Sequence, residues 1–295
     1  MQLAVMKMKD TFYKHFAIHV ALIMLPVFLF STAAFSGEEK TFVYFHSSET
    51  SINNFKSLKM EFDRYLSRFG PYELQPVKER SEFEKQIFHE KNCLILTSSW
   101  HYKKICSTFQ GKPILIGTRN GKSTQKRLLI AKTEFTDLAS SGVNIASASS
   151  IQHTLSAIKD MFFNKKLNVD ALKILTVPKD IDAMMAVSFG MSGAALITEN
   201  NFDRLKMLTP VLYQKMKVVA TGPEFHLMIL AARINCLEKH KHLIQIIKEM
   251  SDTPLGQKQI RMLGLDSFQA VTDKDMMMLN LTKNVTWQQQ EKKKK

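Results

Sequence analysis

The sequence predicts an α/β protein with mainly parallel sheets. Short apolar segments, such as TFVYF (41–45) and CLILT (93–97), alternate with segments whose apolar residues recur at helical spacing. Strands that are apolar throughout are typical of parallel sheets covered by helices on both faces. Turn-forming pairs such as Gly70-Pro71 separate the segments. Repeated units of this kind favour an α/β architecture.

The first part of the chain alternates strands and helices. Apolar residues from Phe55 to Phe69 mark the first helix, and Ser81 with Glu84 predicts the N-cap of the second. SSWHYKKI (98–105) leads into the third helix, and Asn120-Gly121 is a hairpin signal. The strand candidates are 41–45, 72–77, 93–97, 113–117 and 126–132.

The segment GVNIASASSIQHTLSAIKDMF (142–162) predicts a short strand, a serine-rich turn and an amphipathic helix. The first turn of a helix carries unpaired N–H groups, so the hydroxyls of Ser147, Ser149 and Ser150 could help to hold an anion there. Alternatively, Ser149 and Gln152 form a capping box that uses the serine for its own helix. The sequence alone leaves both interpretations open.

The second part of the chain continues the alternation. Asp180 is placed to cap the helix in DIDAMMAVSFG, and Gly190 is placed to end it. Two helices, 236–250 and 254–264, close the body. The strand candidates are 172–177, 194–198, 216–221 and 225–232.

The N-terminus has the pattern of an export signal. Lysines precede the apolar run 16–30, and small residues follow it, with cleavage expected after Ala33 or Ser36. An uncleaved membrane anchor is the alternative, but the run is shorter than about 20 residues and Pro26 interrupts it. We therefore predict that residues 1–36 are a signal peptide and that the mature protein is periplasmic.

The chain is strongly basic, with a formal net charge of +14. The segment before Gly37 contributes +2 and the final EKKKK (291–295) contributes +3, which leaves +9 for the body. This excess favours anionic partners in general. The basic residues are not interleaved with aromatic residues in a nucleic-acid-binding motif, so we do not expect nucleic acid as a partner.

Cysteine spacing gives no sign of a metal site or redox motif. Cys93, Cys106 and Cys236 match no CxxC or zinc pattern, and Cys93 lies in an apolar run that predicts burial. If one disulfide forms, Cys93 and Cys106 are the nearer pair. Asn280 and Asn284 head N-x-T triplets, which matter only in a host that glycosylates secreted proteins.

Sequence motifs of enzymes are missing. The chain has no G-x-S-x-G elbow, P-loop or H-E-x-x-H motif. His240 and His242 are two residues apart and cannot face one metal from one side of a helix. We therefore expect a non-catalytic protein without cofactor or metal.

Four passages carry a resemblance to a known family. They are 93–105, 135–150, 178–198 and 256–275. Over about residues 41–275 the chain resembles the phosphate, phosphite and phosphonate-binding family of periplasmic solute-binding proteins. The resemblance implies a two-lobed type 2 periplasmic-binding fold, with a ligand cleft between the lobes, that serves an ABC transporter.

The resemblance also implies the ligand-binding residues. They are the turn Ser147, Ser149 and Ser150, the ligand-facing Tyr102, and His46 and Ser47 after the first strand. Ligands of open α/β sheets bind outside the carboxyl ends of the strands, which agrees with these positions.

The chain departs from the family pattern at several positions. Ile151 stands where a Gly is usual, Gly193 where an acid is usual, and Pro178-Lys179 where many members have a His. The ligand is therefore less well predicted than the fold.

The expected division of the chain follows the family. Residues 37–120 form the first part of lobe 1, residues 121–218 form lobe 2, residues 219–290 return to lobe 1, and residues 291–295 are a basic tail.

The leading hypothesis is a monomeric binding protein that captures a small oxyanion, phosphate-like or phosphonate-like, for an ABC-transporter permease. The alternative is a ligand-sensing or protein-interaction subunit of a periplasmic signalling system, which would act on a membrane sensor protein.

Overall fold

The computed structural model of the protein describes residues 39–50, 54–136, 138, 143–163 and 167–279. The predicted signal peptide, both N-x-T triplets and the basic tail lie outside these ranges. Within them, no helix is long and apolar enough to cross a membrane.

The described residues form alternating strands and helices. The strands are β1 (Thr41–His46), β2 (Tyr72–Pro76), β3 (Cys93–Ser98), β4 (Gly111–Thr118), β5 (Thr124–Lys132), β6 (Asn144–Ser147), β7 (Lys173–Thr176), β8 (Ala194–Thr198), β9 (Met216–His226), β10 (Met228–Arg233) and β11 (Ser267–Ala270). The α-helices are α1 (Phe55–Leu66), α2 (Arg80–His89), α3 (Ser99–Phe109), α4 (Ile151–Met161), α5 (Asp180–Ser188), α6 (Glu199–Leu208), α7 (Pro210–Gln214), α8 (Leu237–Lys248), α9 (Pro254–Met262) and α10 (Asp273–Met278). Short 3₁₀ turns lie at Val169–Ala171, Ile234–Cys236 and Glu249–Asp252.

Two sheets organise two lobes. Lobe 1 contains the six-stranded sheet β11-β4-β10-β3-β1-β2, and lobe 2 contains the five-stranded sheet β7-β6-β8-β5-β9. The pairs of β1 with β2 and β3 are parallel, as are those of β6 with β7 and β8. Strands β5, β10 and β11 pair antiparallel with their neighbours. The predicted two-lobed α/β fold is confirmed.

Apolar strands are buried on both faces, as the sequence predicted. In β3, Leu94 and Leu96 face a core that also contains Phe62 of α1, whereas Ile95 faces a second core with Phe83 of α2. Alternate residues of a strand point to opposite faces, so an unbroken apolar strand requires helices on both sides. Each lobe is therefore a sheet between helical layers.

The chain crosses between the lobes at two places. The first is the predicted turn, where Asn120 (φ 49°) and Gly121 (φ 71°) lie between the bridged residues Arg119 and Lys122. Both turn residues have positive φ, which Asn and Gly tolerate best. The turn connects β4 of one sheet with β5 of the other, so it joins two lobes and not two strands of one sheet.

The second crossing is at Leu227, between β9 and β10. The predicted boundary at residue 218 lies inside β9, because β9 pairs with β5 as far as His226. Strand β9 therefore belongs to lobe 2, and the return part of lobe 1 starts later than expected.

Several local predictions need correction. Helices α6 and α7 were not predicted. Glu79, and not Ser81, precedes α2 as its N-cap residue. Asp180 is the first residue of α5, and its carboxylate accepts hydrogen bonds from Thr198 and Asn201 instead of capping its own helix.

All three cysteines are free thiols. Cys93 is buried, as predicted, and its Sγ donates to the carbonyl oxygen of Glu90. Cys106 Sγ donates to the carbonyl oxygen of Lys103, so the disulfide considered from spacing is not formed.

Candidate functional site

The segments that follow β2 and β3 in lobe 1 contact the segment that follows β6 in lobe 2. Arg80, at the start of α2 in lobe 1, donates to the carbonyl oxygen of Ala148 in lobe 2 at 3.4 Å. The Trp100 ring of α3 stacks on the His153 ring of α4, with centroids 5.1 Å apart. The carboxyl end of β6, the serine turn and the start of α3 therefore lie together at the boundary between the lobes, where the family's ligand cleft is expected.

The serines of the turn organise the start of α4. Ser147 Oγ accepts from the Ser149 amide at 3.2 Å and from Thr154 Oγ1 at 2.9 Å. Ser150 is the N-cap, and its Oγ accepts from the His153 amide at 3.2 Å. The predicted capping box from Ser149 to Gln152 is wrong, because the cap lies one residue later.

These contacts leave the serine turn able to bind an anion. In them, the Ser150 hydroxyl acts as an acceptor and still has its hydrogen to donate. The first turn of the 11-residue helix α4 adds the positive end of its dipole. Capping is thus the role that the structure shows for Ser150, and it uses the oxygen of the hydroxyl group and not its hydrogen.

An aromatic and cationic wall faces the serine turn from lobe 1. The guanidinium of Arg80 lies 5.1 Å from the centre of the Trp100 ring. Trp100 also stacks on His101, whose Nε2 lies 2.9 Å from Glu84 Oε1. These contacts fix the Trp100 ring against His153, so the wall is built by both lobes.

Several buried polar atoms around this wall have no hydrogen-bond partner within the described ranges. They are Trp100 Nε1, His153 Nε2, Arg80 Nε, Ser98 Oγ and Ser48 Oγ. A buried polar group without a partner costs about 1–3 kcal/mol. These atoms therefore have hydrogen-bonding capacity that the described residues do not use.

Two histidines of the cleft are neutral at physiological pH. Burial lowers the pKa of His153 to about 3, and the positive charges of Arg127 and Lys103 act in the same direction. Burial likewise lowers the pKa of His46 to about 4. Their neutral rings can donate or accept hydrogen bonds without adding charge.

A buried ion pair joins the lobes beside the cleft. Glu49, just after β1, accepts from Arg127 of β5 at 2.6 Å, and both side chains are less than 10% exposed, at 8% and 5%. Gln125 also donates to this carboxylate, at 3.3 Å. Burial raises the pKa of Glu49 above its ordinary value, and the charge of Arg127 opposes that rise. The guanidinium also lies 4.6 Å from the ring centre of Phe225.

Three of the predicted ligand residues form hydrogen bonds with other parts of the protein. Tyr102 is fully buried in lobe 1, and its hydroxyl donates to the carbonyl oxygen of Gly111 at 2.8 Å, which corrects the expectation that it faces the ligand. His46 Nδ1 lies 3.1 Å from the carbonyl oxygen of Val77. Ser47 Oγ accepts from the Glu49 amide at 3.2 Å.

Sequence reasoning missed the charged and aromatic part of the cleft. Trp100 lies two residues before Tyr102 on the same helix, and therefore on a different side of it. Arg127 lies in the polar first half of β5, TQKR, beside Lys126, so its sequence neighbours do not mark it as a buried charge. Within the described ranges, no group of three or more His, Cys, Asp or Glu residues is placed to hold a metal ion.

The sequence profile of the periplasmic substrate-binding proteins of ABC phosphonate transporters matches residues 46–276. The chain belongs to this family. The matched range of this phosphonate-family binding protein includes both lobes and the cleft. A comparison with curated protein sequences gives no match.

Solved structures with the same fold include several bacterial binding proteins. A binding protein component of an ABC phosphonate transporter from Pseudomonas aeruginosa is 16% identical, with a TM-score of 0.67, and the alignment covers 86% of this chain and 93% of that one. PhnD1 from Prochlorococcus marinus in complex with methylphosphonate is 11% identical, with a TM-score of 0.62 and coverage of 79% and 94%. A Xanthomonas citri protein bound to ATP is 10% identical, with a TM-score of 0.64 and coverage of 81% and 94%. At these identities the likeness concerns the fold.

Replacing Tyr102 with Phe tests its assignment to the core. The change removes the bond to the Gly111 carbonyl, so we expect a loss of about 1–3 kcal/mol in the free energy of unfolding. Affinity for methylphosphonate, measured by calorimetry, should stay unchanged. A large loss of affinity at unchanged stability would instead place Tyr102 at the ligand.

The Glu49–Arg127 pair can be tested by a double-mutant cycle in urea. Glu49→Gln leaves a buried guanidinium without its carboxylate, and we expect a loss of about 3–5 kcal/mol. Glu49→Gln with Arg127→Met should recover most of this loss. Lys258→Ala, which breaks the exposed pair with Glu61, is the control and should cost less than about 1 kcal/mol. Additive effects of the two changes would contradict a coupled pair.

The depressed pKa of His153 predicts a loss of stability in acid. Between about pH 6.5 and 3 the unfolded chain binds a proton at this residue that the folded protein does not, so stability falls as the pH decreases. His153→Phe keeps a ring on Trp100 and removes the titration. We expect a flatter dependence of Tm on pH from 7 to 4.5 for this variant, whereas His89→Gln, at an exposed position, should behave as wild type. Identical slopes for wild type and His153→Phe would contradict the assignment.

Proposed function

We propose that the protein captures a small oxyanion of the phosphate or phosphonate class in the cleft between its lobes. It then presents the closed, loaded form to the permease of an ABC transporter, as a monomer in the periplasm and without catalysis. Membership of a family of transport components that bind substrate supports this function over a sensor or interaction subunit.

The observation that carries the proposal is the set of unsatisfied buried donors beside the serine turn. Trp100 Nε1 and Arg80 Nε lie on the lobe 1 side, and His153 Nε2 lies on the lobe 2 side. The Ser150 hydroxyl, which accepts from the His153 amide, can still donate its hydrogen. An oxyanion offers several acceptor lone pairs to donors from both lobes. Binding would therefore stabilise the closed arrangement. The complex of PhnD1 with methylphosphonate supports this ligand class.

The donors also explain how the cleft would select a ligand. A molecule that lacks one oxygen leaves a buried donor unpaired, which costs about 1–3 kcal/mol. Arg80 supplies a positive charge, and the neutral histidines add none. We therefore expect tetrahedral oxyanions to bind more tightly than uncharged molecules of the same size.

Calorimetry on a serine variant tests the site. Ser149→Ala with Ser150→Ala removes two hydroxyls of the turn, and we expect affinity for inorganic phosphate, phosphite and methylphosphonate to fall at least about tenfold. The loss of the N-cap at Ser150 should also lower stability by about 1 kcal/mol.

A matched control separates binding from stability. Thr253 is the N-cap of α9, and its Oγ1 accepts from the Gly256 amide. Thr253→Ala should lower Tm by a similar amount and leave affinity unchanged. Equal affinities for the serine variant and wild type would show that the anion binds elsewhere or does not bind.

A further inference from the structure

A second cavity between the lobes is lined by arginines. Its volume is about 240 Å³, and Arg119, Arg204 and Arg261 contribute to its walls. Arg119 follows β4 at the first crossing, Arg204 lies on α6 of lobe 2, and Arg261 lies in the last turn of α9 of lobe 1. The residues of the serine turn do not line this cavity.

The arginines of this cavity lack matching anions. Within the described ranges, neither Arg204 nor Arg261 has an ion pair. Arg119 Nε donates to the carbonyl oxygen of Gly264. Burial lowers the pKa of Arg119, and the positive charge of Arg204 lowers it further. Like charges therefore face each other in a partly enclosed space.

The nearby carboxylates do not neutralise the group. Glu49 lines the cavity, but its carboxylate is bound by Arg127 and Gln125. Asp266 acts on Arg119 electrostatically while accepting a hydrogen bond from the Asn120 amide. Asp180 is a third carboxylate, which acts on Glu49 and accepts from Asn201 and Thr198. Four arginines against three carboxylates leave an excess of one positive charge.

Two helices point their first turns at the same space. Asn54, the N-cap of α1, and Asn201, in the first turn of α6, both line the cavity. These helices have 12 and 10 residues, so each contributes the positive end of a full dipole. Helix starts and guanidinium groups favour the same ligand chemistry, a compact dianion with several oxygens.

We propose that the Arg119–Arg204–Arg261 cavity is a second anion site that takes a phosphate-type dianion and bridges the lobes. It is separate from the serine-turn site, because Ser147, Ser149 and Ser150 do not line it. Glu49 lines the arginine cavity, whereas the charge of Arg127 acts on His153 beside the serine turn. An anion held by Arg204 of lobe 2 and Arg261 of lobe 1 would favour closure.

The site can be tested in the background that lacks the serine-turn hydroxyls. In the Ser149→Ala, Ser150→Ala protein, calorimetry at constant ionic strength should still detect binding of inorganic phosphate. Adding Arg204→Ala and Arg261→Ala should weaken this residual binding at least about tenfold, since each change removes a charge-assisted contact. Arg64→Ala is the matched control, because Arg64 lies on α1 and its side chain is 63% exposed. This control should not change the affinity.

Charge-preserving variants distinguish a specific anion site from nonspecific electrostatic attraction. Arg204→Lys with Arg261→Lys keeps both charges but removes the planar, bidentate donors, so we expect a several-fold weaker affinity. Lysine variants that bind as tightly as the arginine protein would overturn the proposal. The proposal would also be overturned if the Ser149→Ala, Ser150→Ala protein did not bind phosphate. The same holds if adding Arg204→Ala and Arg261→Ala left both the phosphate affinity and Tm unchanged. If only the serine-turn proposal is wrong, wild type and the Ser149→Ala, Ser150→Ala protein should bind phosphate with the same affinity.

Discussion

The contact between the lobes depends on the buried pair of Glu49 and Arg127. A buried charge is tolerated only with a partner, and here the two partners belong to different lobes. The backbone oxygen of Glu49 also accepts from Asn201 of lobe 2, at 2.9 Å. These two contacts hold the segment after β1, which belongs to lobe 1, against lobe 2. Arg80 and Trp100 make further contacts between the lobes, with Ala148 and His153.

The same pair lies beside both proposed anion sites. One site contains the serine turn and the unsatisfied donors near Trp100, and the other is the arginine cavity. In a transport protein of this family, closure must be favourable with ligand and reversible without it. The Glu49–Arg127 pair supplies a contact between the lobes that does not require a ligand.

The fold was largely predictable from the sequence, but the cleft was not. Strand and helix periodicity is local, so unbroken apolar strands such as β3 and the Asn120-Gly121 turn could be predicted. Helix α6 was missed because its apolar face is short, with only Phe202 and Leu205 among its buried apolar residues. Contacts such as Trp100 on His153 join residues far apart in the chain, and no local pattern specifies them. The expectation that Tyr102 faces the ligand was wrong, because its position after a strand does not determine which side of the following helix is buried.

Fluorescence of Trp100 tests the central claim that the cleft beside the serine turn binds the oxyanion. The chain contains two tryptophans, so Trp287→Phe leaves Trp100 as the single reporter. Titration of this variant with methylphosphonate should change the emission of Trp100 in a saturable way, with the same Kd that calorimetry gives. Binding that calorimetry detects while the emission of Trp100 stays constant would contradict the account.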